Sequence, residues 1–185
     1  MCSSDLSRAT GIVSVVLLTA IVVLGTLLSG RRRPHGDAPV IVMGMHRWLS
    51  LGMVAFLVAH VATAVVETFV SIDLVSAFVP FTSGYERAWV GLGTLAVDLC
   101  VAIMVTSYLR LRMRERTWRW VHGLTYLMWP IAVLHGFMLG TADEPLLRLT
   151  TLGCGIVGLL AVGWRAGSTF ADRERRAEVA AQEWR

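Results

Sequence analysis

Four histidines stand in text where almost nothing else ionises. His46 and His60 lie fourteen residues apart in HRWLSLGMVAFLVAH, and His122 and His135 lie thirteen apart in HGLTYLMWPIAVLH. Imidazole is the commonest side-chain ligand for transition metals, and an ionisable group inside a bilayer is costly unless it faces a cavity, a cofactor or a partner. On a helix rising 1.5 Å per residue, either spacing separates two rings by about 20 Å along the axis. Two such helices running in the same direction would present two pairs at two depths, His46 with His122 and His60 with His135. Haem b suits such pairs. Its ring is large and apolar, and its iron accepts two axial imidazoles from helices facing each other across a bundle. With both axial positions filled, that iron carries electrons rather than binding O₂. Two rival chemistries use the same residues. A histidine-lined transporter would pass a metal ion, although a closed zinc site wants four nearby ligands and each pair supplies two. A haem-free structural subunit would hydrogen-bond the four rings within its core.

The angular test is uneven. At 100° per residue a step of fourteen returns to within about 40° of the starting face, whereas a step of thirteen lands about 140° away. Pro130 stands between His122 and His135. A proline inside a helix kinks it and frees a backbone acceptor, so the expectation is that Pro130 brings both rings to one neighbour.

The elements that must position these rings follow from composition. Of 185 residues, 55% are hydrophobic and 16% charged, and the mean hydropathy is +0.63. A water-soluble domain carries about a quarter charged residues, so the apolar excess must face lipid, and so apolar a chain is not disordered. Runs near the 20 residues needed to cross a bilayer fall at about 11–30, 40–66, 88–109, 119–140 and 146–165. The first is longer than a signal-peptide core and shows no small-residue cleavage site before Arg31, Arg32 and Arg33, so it reads as a retained helix. The expected fold is an all-α integral membrane bundle of five transmembrane helices, residues 1–167, followed by a charged cytoplasmic tail, 168–185.

Arginine fixes the orientation. All 17 basic residues are Arg. Arg31 to Arg33 follow the first span, Arg110, Arg112, Arg114, Arg116 and Arg119 follow the third, and Arg165, Arg173, Arg175, Arg176 and Arg185 follow the fifth. The alternate segments are acidic on balance: Glu67, Asp73 and Glu86 against Arg87, then Asp143 and Glu144 against Arg148. Basic loops stay on the cytoplasmic side, which puts the N-terminus outside, the C-terminus inside and the chain in the cell membrane as a multi-pass protein. The basic pI of about 9.5 is then a property of topology, and nucleic acid drops out as a partner. Cys2, Cys100 and Cys154 are odd in number, and two lie in apolar runs, so no disulfide framework is expected.

Other residues are candidates for supporting roles. Arg47 and Arg119 stand at the cytoplasmic edge, where bidentate guanidinium groups would meet haem propionates, with Arg87 a weaker candidate outside. Asp98, near the middle of the third span, is a candidate to accept a hydrogen bond from a ligand histidine, or else a protonated core acid. Ala59, Ala62, Gly123 and Gly136 lie beside the ligands and would let a flat ring approach. Trp48, Trp89, Trp118, Trp120 and Trp164 read as interface anchors. Tyr126 and Trp129 lie deeper and are candidates to line a haem, with core packing the favoured role. Residues 69–85 are apolar but broken by Pro80 and Gly84, and are expected to cap the outer end.

The two histidine spacings, with RATGIVSVVLLTAIVVLG, GMHRWLSLGMVAFLVAHVATAV and WRWVHGLTYLMWPIAVLHG around them, resemble the ferric-reductase-like transmembrane domain over most of residues 8–165. That domain is shared by ferric reductases, NADPH oxidases and the bacterial haem-binding subunit MsrQ, and the chain looks like the short bacterial cytochrome b-type members. The resemblance implies two haem b groups, with inner-haem iron on His46 and His122 and outer-haem iron on His60 and His135. It also implies electron transfer from a cytoplasmic flavoprotein or quinol to an extracytoplasmic acceptor, either ferric iron or a partner protein. The chain departs from the full reductases in having one span fewer than the usual six. About 20 residues follow the last span, without a glycine-rich dinucleotide fingerprint, so no flavin or nicotinamide domain of its own is expected.

Overall fold

A computed structural model describes residues 2–29, 37–67, 72–140 and 144–183. Arg31 to Arg33, His35 and Asp143 lie outside the described residues. Among those described, every regular element is helical: α1 (Cys2–Ser29), α2 (Ala38–Val66), α3 (Leu74–Phe78), α4 (Arg87–Tyr108), α5 (Glu115–Gly123), α6 (Thr125–Leu139) and α7 (Pro145–Glu183), with a 3₁₀ turn at Arg110–Arg112. Four stretches are long and apolar enough to cross a membrane: Asp5–Ser29, Ala38–Val66, Arg87–Tyr108 and Pro145–Ala171. The chain is a multi-pass α-helical membrane protein. Continuous runs of Val, Leu, Ile and Ala satisfy their backbone groups within each helix, as hydrocarbon surroundings require.

The expected fourth span departs from a single helix. It forms as α5 and α6, and α6 alone has 15 residues, short of a bilayer's thickness. The interruption is at Leu124, while Pro130 sits inside α6 without ending it. Two bonds tighten the chain there. The Leu124 N–H reaches the Val121 carbonyl at 3.0 Å, three residues back, and the Thr125 hydroxyl donates to the His122 carbonyl at 2.7 Å. His122 and His135 therefore belong to two helices, and the 140° phase error of one ideal helix does not arise.

The helix α1 is the hub. It packs along α2, α6 and α7, while α4 packs on α6. Towards α4 and α6, α2 reaches chiefly with side chains, and its one buried residue is Met53. Met53 joins Leu18, Cys100, Met128 and Trp129 in an apolar cluster. Along their helices these residues stand about midway between the two histidine levels. Trp129, 3% exposed, ties the centre together: its indole N–H donates to Thr19 Oγ1 at 3.0 Å, and its ring lies where Gly158 of α7 has no side chain. That places Trp129 in the core, between α1 and α7.

At the far end α3 folds onto the start of α4. Thr94 Oγ1 donates to the Ser76 carbonyl at 2.7 Å, and the Phe81 ring occupies the space left by Gly91. Phe81 has φ 64°, a left-handed conformation unusual for a side chain of its size. Its carbonyl accepts from Arg87 Nε, so Arg87 is engaged in this cap. Asp73 caps α3, its carboxylate accepting from the Ser76 amide at 2.9 Å and the Ser76 hydroxyl at 2.5 Å. Those bonds hold the Asp73 carboxyl below the usual carboxylate range. A depressed folded value means the stabilisation is complete above the unfolded value and is lost as pH falls through the folded one. Amide exchange at Ser76, corrected for intrinsic rate, is expected to accelerate on that acidification, and Asp73→Ala to exchange fast at every pH.

Candidate metal-ligand pairs

Two imidazole pairs form, one at each end of the bundle. The ring centroids of His46 and His122 lie 6.4 Å apart and those of His60 and His135 6.3 Å apart. All four histidines are half-buried as residues. Two metal–imidazole bonds of about 2 Å, with roughly 1.2 Å from each nitrogen to its ring centre, would set centroids about 6.4 Å apart. The observed separations match that of two rings facing one metal ion. Among the described residues no group of three or more His, Cys, Asp or Glu gathers for metal binding, so the chain offers pairs.

The helices opposite hold each ring. His60 Nδ1 donates to the Ser7 carbonyl at 2.8 Å, His46 Nδ1 to the Ile21 carbonyl at 3.2 Å, and His135 Nδ1 to the Trp89 carbonyl at 2.8 Å. A carbonyl only accepts, so these three rings carry their proton on Nδ1 and leave the Nε2 lone pair for a metal. Four residues after each carbonyl comes a glycine. A Cβ on Gly11 would meet His60 at 2.9 Å, one on Gly93 would press His135 more closely still, and one on Gly25 would meet His46 at 3.6 Å. Three imidazoles thus share one seat: a helix carbonyl and, a turn later, a residue without a side chain.

The fourth seat differs. Ser107 stands fourteen residues after Gly93, where the pattern calls for a glycine, and its hydroxyl lies 3.4 Å from His122 Nδ1. A hydroxyl both donates and accepts, so this ring's tautomer is not set by the backbone. Trp118 stacks on His122, with centroids 4.9 Å apart and planes 21° apart.

The small residues expected beside the ligands, where they would let a flat ring approach, are not the ones that make room for the imidazoles. A Cβ added to Gly123 would have nothing within 4 Å, Gly136 faces Thr151 and Val15, and Ala62 is exposed. A neighbour on the ligand's own helix points about 100° away per residue, so room for the imidazole itself has to come from the helix across. A signal is present in the sequence: Gly11 and Gly25 are fourteen apart, the spacing of His46 and His60, as two antiparallel helices in register require. Asp98 bonds none of the imidazoles among the described residues, because each Nδ1 is engaged elsewhere. Arg119 pairs with Glu115 on an exposed face, and Arg47 is exposed.

Charge is concentrated at one end. Arg110, Arg112, Arg114, Arg116 and Arg119 lie on the segment leading to His122. Arg165 bonds Ser29 at the end of α1, on the same side as His46.

The family described as ferric reductase like transmembrane component matches residues 10–133. The match takes in Gly11, Gly25, His46, His60, Gly93, Ser107 and His122, and ends two residues before His135. No curated protein and no solved structure matches the chain.

Proposed function

The chain belongs to the ferric reductase like transmembrane family, and from that premise we propose that it conducts electrons across a membrane through two haem b groups, the first held by His46 and His122 and the second by His60 and His135. The observation that carries this reading is the pair of 6.4 and 6.3 Å ring separations, with three Nδ1 atoms bound to backbone carbonyls. Haem iron supplies a one-electron couple when it is bound. The protein's part would be to hold each iron between two imidazoles, to fix three of the four tautomers and to keep water from the midplane. Leu18, Met53, Cys100, Met128 and Trp129 form that dry layer.

In this reading α5 and α6 together make a fifth crossing. The arginine-rich end is cytoplasmic, with the N-terminus outside and the C-terminus inside. A flavoprotein or quinol delivers electrons at the His46 level, and ferric iron or a partner protein takes them at the His60 level, under the α3 cap. Purified protein is expected to show a b-type α band in its reduced-minus-oxidised spectrum and two haems per chain. A chain purified without that band, loaded with zinc or with nothing, would discard the reading.

A further inference from the structure

We propose that Trp118 and Arg110 form a carboxylate seat beside His122, and that the carboxylate it takes is a propionate of the haem held by His46 and His122. The inference rests on the two-haem reading and extends it to residues on the 3₁₀ turn and α5. Trp118 Nε1 is a buried donor with no hydrogen-bond partner, and among the described residues it is the one buried side-chain nitrogen or oxygen left so. An indole N–H can only donate, and a buried donor without an acceptor is costly enough that most such groups in proteins find one, in the chain, in water or in a ligand.

The surroundings indicate which acceptor. The Trp118 ring is stacked on His122, so the orphan N–H lies beside a ligand imidazole rather than at a distant surface. The Arg110 guanidinium lies over the same indole, 4.3 Å from its centroid. A cation next to an unused neutral donor recognises an anion with oxygen acceptors, and carboxylate geometry suits a guanidinium. The guanidinium of Arg119, the residue that proximity in sequence suggests, is instead occupied by Glu115. Haem b brings two carboxylates to the edge of its own ring, at the level of the imidazole that holds it. Among the described residues no side-chain carboxylate bonds the Trp118 N–H.

The test uses the full chain with both haems bound. Trp118→Phe keeps an aromatic ring against His122 and removes only the N–H, and Arg110→Gln removes the charge and keeps a polar chain. Each variant is expected to shift the propionate-bending bands of one haem in resonance Raman spectra. Each should also lower the midpoint potential of that haem in a two-step titration, since an uncompensated carboxylate favours ferric iron, while the other haem stays at its wild-type value. Repeating the comparison after reconstitution with the dimethyl ester of haem identifies the carboxylate. If it is the haem's own, the difference in potential between Arg110→Gln and wild type, which depends on the charge of the carboxylate, vanishes. If the difference persists with the ester, the carboxylate comes from elsewhere and the propionate assignment is wrong. Unchanged bands and potentials in both variants would mean that water satisfies Trp118, which also overturns the proposal while leaving the two-haem reading in place. A wild-type chain that binds no haem would overturn both.

Discussion

Replacing His60 with alanine is expected to take the chain from two haems to one and to leave the remaining haem spectrally unchanged. The ring of His60 faces His135, and the other pair lies about 20 Å away along the helix axis, beyond the apolar layer around Met53. Without His60, the His135 ring alone would be left to hold a haem at that level. The band that survives should therefore be that of the His46 and His122 site. Electron transfer from one face to the other should stop, because the remaining haem is too far from the outer face to serve as the terminal carrier. Reduction of the surviving haem by dithionite should persist. A variant that loses both haems together would show that the sites are not independent. One that keeps both would show that His60 is not a ligand.

The second large effect comes from a residue that bears no chemistry. Gly93→Ala is expected to displace the His135 ring and to weaken haem binding at that level by roughly 10–100-fold, the loss typical when the support of a metal ligand is disturbed. A methyl at that position overlaps the imidazole, and the ring can retreat only by giving up its bond to the Trp89 carbonyl. Gly25→Ala supplies the control within the same protein. There a Cβ would stand 3.6 Å from His46, an ordinary van der Waals distance, and haem content should remain near two per chain. Alanine is the better helix former by about 1 kcal/mol, so unfolding of the helix does not explain a loss at Gly93. Haem-to-protein ratios of the two variants, measured after identical purification, decide the matter. Equal ratios would mean that the α4 seat is not required.

Much of this arrangement is legible in the linear text. The apolar runs identify a membrane bundle, since few polar interruptions are tolerated in hydrocarbon. The histidine spacings separate the rings into two depths, because rise per residue is a local property of a helix. Arginine clusters suggest an orientation by the same locality. Three features escape such reading. Pro130 is the visible helix breaker, yet the interruption falls at Leu124, where it depends on a tightened turn and the hydroxyl of Thr125. Glycines adjacent to a ligand in sequence stand out, yet the ones that seat the imidazoles themselves lie on the helices across. Asp98 has the chemistry to accept from an imidazole, yet those imidazoles already bond other groups.

What each helix carries and at what depth can be written from the chain alone: four imidazoles, two levels, and apolar text between them. Azimuth and company came from packing. It set His60 on Ser7 and Gly11, His135 on Trp89 and Gly93, and left His122 on Ser107 and Trp118. The difference is one of range. Depth follows from 1.5 Å per residue along a single chain segment, but which side of a helix meets which neighbour depends on contacts between segments dozens of residues apart, and no local rule carries that information.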